Sequence, residues 1–190
     1  MIMKRSLNDC DDQTRLPLVV DLDGTLIRGD MLVETARALV RRQPWMVLFC
    51  CLWLAKGRAH LKSQVASRVV FDPRTLPYNL DFLEFLREEH ANGRMLVLAT
   101  ASDERIARSI ADFCGIFSHI LASNGKDNLA SERKASALCA LLGERQFDYA
   151  GNSRADYKVW SRARRALVVN ASSGVRKRAE KRFLIDKIFP

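Results

Sequence analysis

The sequence predicts an α/β protein: a doubly wound parallel sheet with a small all-helical segment inserted after its first strand. Three observations point there. A short apolar run, Leu18 to Val20, ends in two aspartates one residue apart, Asp21 and Asp23, followed at once by Gly24 and Thr25. From Arg94 onward, strand-like and helix-like patterns alternate with the lengths of βα units. Between residues 28 and 78 only helical patterns occur.

Taken in order, Met1 to Arg15 is polar, has no apolar signal-peptide core and reads as a loose arm. Leu18 to Val20 has the β-branched content of a buried parallel strand. Gly24 lets the chain turn without a Cβ, and Thr25 can lock that turn with its hydroxyl. Asp30 is placed to cap a helix through Arg42, with Leu32, Ala36, Leu39 and Val40 on one face. Gln43-Pro44 breaks it, and Pro44 suits the first turn of the next helix.

Trp45 to Ala55 is apolar at all eleven positions. That is well short of the ~20 residues that span a bilayer. Two fates fit it: a helix buried between insertion and sheet, the commoner fate for so short a run, or one touching a membrane or the apolar tail of a substrate. Its neighbours Arg41, Arg42, Lys56, Arg58 and Lys62 suit the second. A third helix spans Ala59 to Val70 and is ended by Asp72-Pro73. Asn79 is placed to cap a helix with Phe82, Phe85 and Leu86 inward, stopped by Gly93.

Then follow a strand at Met95–Ala99, a helix at Asp103–Cys114 ended by Gly115, and a strand at His119–Ala122. A helix at Ser131–Leu142 ends at Gly143, and a strand follows at Phe147–Ala150. The pattern closes with a helix at Arg154–Arg162, a strand at Ala166–Val169, and a basic helix from Gly174 to Arg182. No internal repeat and no low-complexity tract interrupts it.

At 190 residues and 48% hydrophobic content the chain can fill one core. Much of its formal charge of +9 lies late, at Arg162, Arg164, Arg165, Arg176, Lys177, Arg178, Lys181, Arg182 and Lys187. Such a surface attracts phosphorylated substrates, nucleic acid or anionic membrane faces. No nucleic-acid-binding module accompanies it, so nucleic acid is not an expected partner. Cys10, Cys50, Cys51, Cys114 and Cys139 are odd in number and irregularly spaced, without zinc-ligand spacing; reduced thiols in a cytoplasmic protein are the expectation.

The chemistry-bearing residues fall at strand ends. In open α/β sheets sites form at the carboxyl ends of the strands, where Asp21 and Asp23 lie. Alternation along an extended backbone would point both carboxylates one way, a costly arrangement without a cation or a shared proton. Thr100 ends the next strand in Leu-Ala-Thr-Ala-Ser. Its hydroxyl, with main-chain N–H groups at the start of the next helix, can hold a phosphoryl oxygen. Lys134 occupies the first turn of its helix, poorly placed for a cation in dipole terms unless it neutralises a bound anion and Asp21. In Tyr149-Ala-Gly-Asn-Ser-Arg-Ala-Asp156, Asn152 and Asp156 offer oxygen ligands to a hard cation such as Mg²⁺.

Asp-Leu-Asp-Gly-Thr, Thr100, Lys134 and Asn152/Asp156, in that order and approximate spacing, resemble the four motifs of the haloacid dehalogenase-like (HAD) phosphohydrolase superfamily. The resemblance covers nearly the whole chain after Arg15. It implies a Rossmann-like core of residues 16–27 and 79–190, and a helical cap at 28–78. It further implies a Mg²⁺-dependent phosphatase for a small phosphorylated substrate. In that reading Asp21 is the nucleophile and Asp23 the acid and base. Thr25, Thr100, Ala101 and Lys134 bind phosphate, and Asp21, Asp23, Asn152 and Asp156 hold the metal. One departure stands out: the family usually carries aspartate where this chain has Asn152. The stretches Asp21 to Thr35, Leu76-Pro-Tyr-Asn79, Leu98 to Asp103 and Tyr149 to Asp156 are similar to HAD domains fused ahead of UbiA-type polyprenyl transferases. That similarity implies proximity to a membrane prenyltransferase at the cytoplasmic face of a membrane. Two rivals follow: a weakly or non-catalytic module that docks to such a transferase, and a phosphotransferase using the same nucleophile.

Overall fold

Val19 sits between Val97 of one parallel neighbour and Tyr149 of the other, and the sheet is laid out from there. In the computed structural model, residues 15–68, 72–124 and 128–190 are described. The strands are β1 (Leu18–Val20), β2 (Leu96–Asp103), β3 (His119–Ser123), β4 (Asp148–Gly151), β5 (Ala166–Val169) and β6 (Ile185–Phe189). They pair in parallel in the order β3-β2-β1-β4-β5-β6. The chain runs outward from β1 to β3, then returns to lay β4 on the other side of β1. The strand order therefore reverses between β1 and β4, opening a crevice at their carboxyl ends.

Helices cover both faces: α4 (Leu80–Ala91) and α5 (Glu104–Cys114) on one, and α6 (Glu132–Leu142), α7 (Tyr157–Trp160) and α8 (Ser173–Arg182) on the other. Alternate strand residues feed the two layers. Leu18 and Val20 pack with Phe82, Leu86, Ile106 and Ile110. Val19 packs with Ala135, Leu138, Val159 and Trp160. All three β1 residues are fully buried, each burial stabilising by about 1.5–3 kcal/mol.

Between β1 and β2 the chain inserts α1 (Met31–Arg42), α2 (Met46–Ala55) and α3 (Arg58–Ala66), which share a small cluster of Leu39, Met46, Leu61 and Val65. Asp30 starts α1 as expected, its carboxylate accepting from the Leu32 N–H at 2.8 Å. Asn79 is the first-cap residue of α4, but its side chain makes no capping bond and its amide nitrogen is buried without a partner.

Five elements differ from the sequence reading. The run Trp45 to Ala55 is not buried between insertion and sheet: only Met46 is buried, and most of α2 faces outward. Arg154–Arg162 is not one helix but a 3-10 turn, Arg154–Asp156, followed by α7. Ser153 and Asp156 bind each other's main chain there, which tightens the first turn. β2 extends through Asp103 instead of ending at Ala99. β6 was not anticipated, because its charged centre, Asp186-Lys187, breaks the apolar alternation; charges of that kind suit an exposed edge strand. The third helix ends at Ala66, followed by a turn at Ser67 and Arg68, and so stops short of the expected Val70; the loose arm expected at residues 1–14 lies outside the described residues. Arg15 itself pairs with Glu89 at 3.2 Å.

Candidate active site

The backbone leaves β1 at Val20, and residues Asp21 to Thr25 form a turn anchored on both sides. The Asp21 N–H donates to Ala150 O of β4 at 3.0 Å, and the Gly24 N–H closes onto Gly29 O at 3.1 Å. Gly24 has φ +77, and a Cβ there would meet the Asn152 side chain at 2.0 Å. Glycine is thus required both by the turn and by the close approach of the Asn152 loop. The two carboxylates reach one cleft of about 400 Å³, which Asp21, Asp23, Gly24, Ala101, Lys134 and Asn152 help to line.

Asp21 faces the α6 side, where Lys134 Nζ donates to its Oδ1 at 2.6 Å. Asp23 accepts from the Met31 N–H at 2.7 Å and from the Ser102 hydroxyl at 2.8 Å. α1 and the end of β2 therefore fix its orientation. Lys134 also donates to the Tyr149 hydroxyl at 3.2 Å, and Tyr149 donates onward to Asp156 Oδ1 at 2.8 Å. Asp156 Oδ2 accepts from the Asn152 N–H, the Ser153 N–H and the Ser153 hydroxyl at 3.1, 2.8 and 2.9 Å.

Three carboxylates, Asp21, Asp23 and Asp156, thus surround one ammonium. Burial, with Asp156 and Asp23 nearby, pushes Asp21 up to about 7 against the pull of Lys134. Burial likewise raises Asp23, opposed by its bonds from Met31 and Ser102. Burial alone would lower Lys134, but Asp21 and Asp156 outweigh it and hold the amine above its ordinary value. Both members of the Asp21–Lys134 pair are raised, Asp21 chiefly by burial and Lys134 by the excess of negative charge around it. A hard divalent cation would relieve that excess. The donor set is all oxygen, and Asp21 Oδ2 meets no donor among the described residues, so the site fits Mg²⁺.

Not every expected residue lies where the sequence put it. Asp21, Asp23, Ala101, Lys134, Asn152 and Asp156 converge on the cleft. Thr25 and Thr100 do not line it. Thr25 is buried under the turn with its hydroxyl unpartnered, so it does not lock the turn through that group. Thr100 is fully buried, and its Oγ1 accepts from the Ser102 N–H at 2.9 Å. Asp156 is engaged by four protein donors, which makes it the strut of the Asn152 loop rather than an open ligand. Among the described residues, no three His, Cys, Asp or Glu side chains cluster as a metal site. Both Asp23 oxygens accept, from Met31 and Ser102, so the open donors at the cleft are Asp21 and the Asn152 amide rather than the expected set with Asp23 and Asp156.

Three contributors were not anticipated. Ser102 follows Thr100 at the strand period of two. Tyr149 is a buried tyrosine, a type whose hydroxyl needs a partner. Lys62 of α3 donates to Ala101 O at 2.8 Å, tying the inserted helices to the rim. No charge or spacing rule marks Lys62 in advance.

A family model described as haloacid dehalogenase-like hydrolase matches residues 18–160. An uncharacterized protein, y4nM of Sinorhizobium fredii (strain NBRC 101917 / NGR234), is 38% identical over 161 residues. That match covers 85% of this chain and 31% of the relative, so the chain spans about a third of that relative's length. A protein of unknown function from Bordetella pertussis Tohama I superposes with a TM-score of 0.69 at 18% identity, covering 91% of this chain and 99% of that one. An apo phosphoserine phosphatase superposes with a TM-score of 0.63 at 13% identity, covering 92% and 93%. At such identities the two structures speak for the fold alone, whereas the sequence match runs from β1 to the end of α7 and takes in the whole cleft. The chain belongs to the haloacid dehalogenase-like hydrolase family.

Proposed function

We propose that the chain is a Mg²⁺-dependent phosphatase that hydrolyses a small phosphomonoester through a phosphoryl group carried transiently on Asp21. The observation that carries this reading is the buried Asp21, held by Lys134 at 2.6 Å at the strand-order reversal, in a cleft that it lines together with Asp23. Asp21 Oδ2 attacks phosphorus and the ester oxygen leaves, taking a proton from Asp23. Asp23 then accepts a proton from water as that water attacks phosphorus and frees Asp21. The raised pKa of Asp23 suits a group that must hold a proton before it gives one. Lys134 offsets charge on the phosphoryl oxygens. Asp21 and Asn152 would hold the cation, which supplies charge neutralisation when bound, while the Asp23 carboxyl moves the proton. The match to the haloacid dehalogenase-like hydrolase family over residues 18–160 supports a hydrolase and leaves the substrate open.

The test is hydrolysis of an aryl phosphate and of a panel of phosphorylated metabolites, with Mg²⁺ and with chelator. Turnover that requires Mg²⁺ and disappears in Asp21→Asn is the expected result. A folded Asp21→Asn chain with wild-type turnover overturns the mechanism. Turnover that requires an alcohol acceptor would make the chain a phosphotransferase instead.

A further inference from the structure

The helix α2 is apolar around its whole circumference, yet it rests on the molecule by one stripe. Met46, Cys50 and Trp53, at spacings of four and three, pack toward the cluster of Leu39, Leu61 and Val65. The opposite stripe, Trp45, Leu48, Phe49 and Leu52, has the same spacing and faces outward. Leu48 is 68% exposed, Leu52 62% and Trp45 58%. Trp45 and Phe49 meet edge to face at 5.8 Å, so the outward stripe is one continuous surface. A groove beside it, lined by Val33, Ala36, Val40, Val47 and Cys50, extends the apolar area toward α1.

A contiguous patch of this kind is uncommon on a soluble monomer and marks a contact surface. The charge around it selects the partner. Residues 31–68 carry seven Lys or Arg and one acid, Glu34, which pairs with Arg37 at 3.2 Å. Arg41 and Arg42 precede the helix, Lys56 follows it, and all three are exposed. Aromatic and leucine side chains ringed by basic residues match an anionic lipid surface, where apolar groups enter the headgroup boundary and cations stay at the phosphates. At ten residues α2 is about 15 Å long. No helix among the described residues is long and apolar enough to cross a membrane, so the contact is one of lying on the surface.

We infer that α2 with its basic flanks is a docking surface for an anionic bilayer. The inference does not depend on the phosphatase reading, and its test needs no substrate. The purified chain is sedimented with vesicles of neutral phosphatidylcholine, and with vesicles containing anionic phosphatidylserine, at low and high salt. Recovery on anionic vesicles at low salt, reduced by high salt, is the expected result. Leu48→Gln/Leu52→Gln should weaken partitioning by roughly tenfold or more, and Arg41→Gln/Arg42→Gln by roughly 30-fold. Lys177→Gln/Lys181→Gln on α8 should leave it unchanged. Wild-type chain that stays in the supernatant under all conditions overturns the inference, as does self-association through α2 in place of vesicle binding. Vesicle binding that ignores the two leucines but falls with the α8 charges also overturns it.

Discussion

Replacing Tyr149 with phenylalanine removes one oxygen beneath the cleft and leaves the ring in place. That oxygen donates to Asp156 at 2.8 Å and accepts from Lys134 at 3.2 Å. Burial, with Asp156 and Asp21 close by, holds the phenol well above its ordinary pKa, so it remains a donor at every working pH. Asp156 is 4% exposed, and water has little access to replace the lost bond. Hydrogen bonds to charged groups contribute about 1.5–3 kcal/mol. Asp156 keeps three other donors, so a loss of about 2 kcal/mol is expected, within that range. In a chain of this length that lowers the melting midpoint by about 4–8 °C. The functional effect travels through Asp156, which holds the Asn152 and Ser153 N–H groups. Loosening a group behind a metal ligand typically costs about 10–100-fold in affinity or activity. The Mg²⁺ concentration for half-maximal turnover should rise at least about tenfold, with a smaller change in kcat. Calorimetry in chelator and initial rates across a Mg²⁺ series measure both. An unchanged midpoint with an unchanged Mg²⁺ dependence would refute the role given to the Lys134–Tyr149–Asp156 chain.

Asn152→Asp adds a charged oxygen at the cleft and should lower the half-saturating Mg²⁺ concentration while destabilising the metal-free protein; a metal titration of activity paired with melting in chelator tests it, and a weakened Mg²⁺ response argues that residue 152 is no ligand. Stability of the metal-free protein should fall as pH rises from about 4 to about 7, because Asp21, raised by burial to about 7, keeps its proton when folded and loses it at its ordinary value when unfolded. Mg²⁺ should cancel that decline, which urea midpoints at pH 5 and 8 with and without the metal measure; a gain from Mg²⁺ that does not grow with pH would contradict it. Asp148→Asn should lower stability by about 3 kcal/mol and leave turnover per folded molecule unchanged. Asp148 accepts from Arg94 at 2.5 Å and Arg164 at 2.7 Å, at the end of β4 opposite the cleft. Urea unfolding beside kcat/KM tests it, and a fall in kcat/KM at full folding would place Asp148 in the site's machinery.

The doubly wound layout was legible because it follows from local signals that agree. Leu18 to Val20 is apolar at consecutive positions, as a strand covered on both faces must be. α5 shows its period in Ile106, Ile110 and the glycine at 115, whose φ of +68 closes the helix. The misreadings occur where tertiary context overrides pattern. Arg154–Arg162 has helical composition, but Asp156 is claimed by Tyr149 and by its own turn, which divides the segment. For α2 the sequence left two fates open, with burial the commoner for apolar runs of its length. Nothing local distinguishes a helix covered by a sheet from one supported by a single stripe, and only the placement of α1 and α3 decides it.

The site divides in the same way. Asp21, Asp23, Lys134 and Asn152 were legible because each sits at the end of a strand or the start of a helix, where the fold itself delivers it to the crevice. Lys134 shows the reasoning most plainly: an ammonium at a helix start opposes the dipole, and the opposition is resolved by Asp21 at 2.6 Å. Thr25 and Thr100 obeyed the same positional rule but turned inward: Thr100 satisfies its hydroxyl on the nearby main chain of Ser102, whereas Thr25 is buried with its hydroxyl unpartnered. A carboxylate or an ammonium has no such refuge and must face a counter-charge or the cleft. Position in the fold therefore predicts charged site residues better than hydroxyls. The residues that escaped the reading, Ser102, Tyr149 and Lys62, all act by touching another side chain or a distant carbonyl. Their roles depend on pairings 39 to 79 positions apart for Lys62 and Ser102, and on a link from Tyr149 through Lys134 to Asp21, itself 113 positions from the lysine. The register of three strands has to be known before any of those pairings can be drawn.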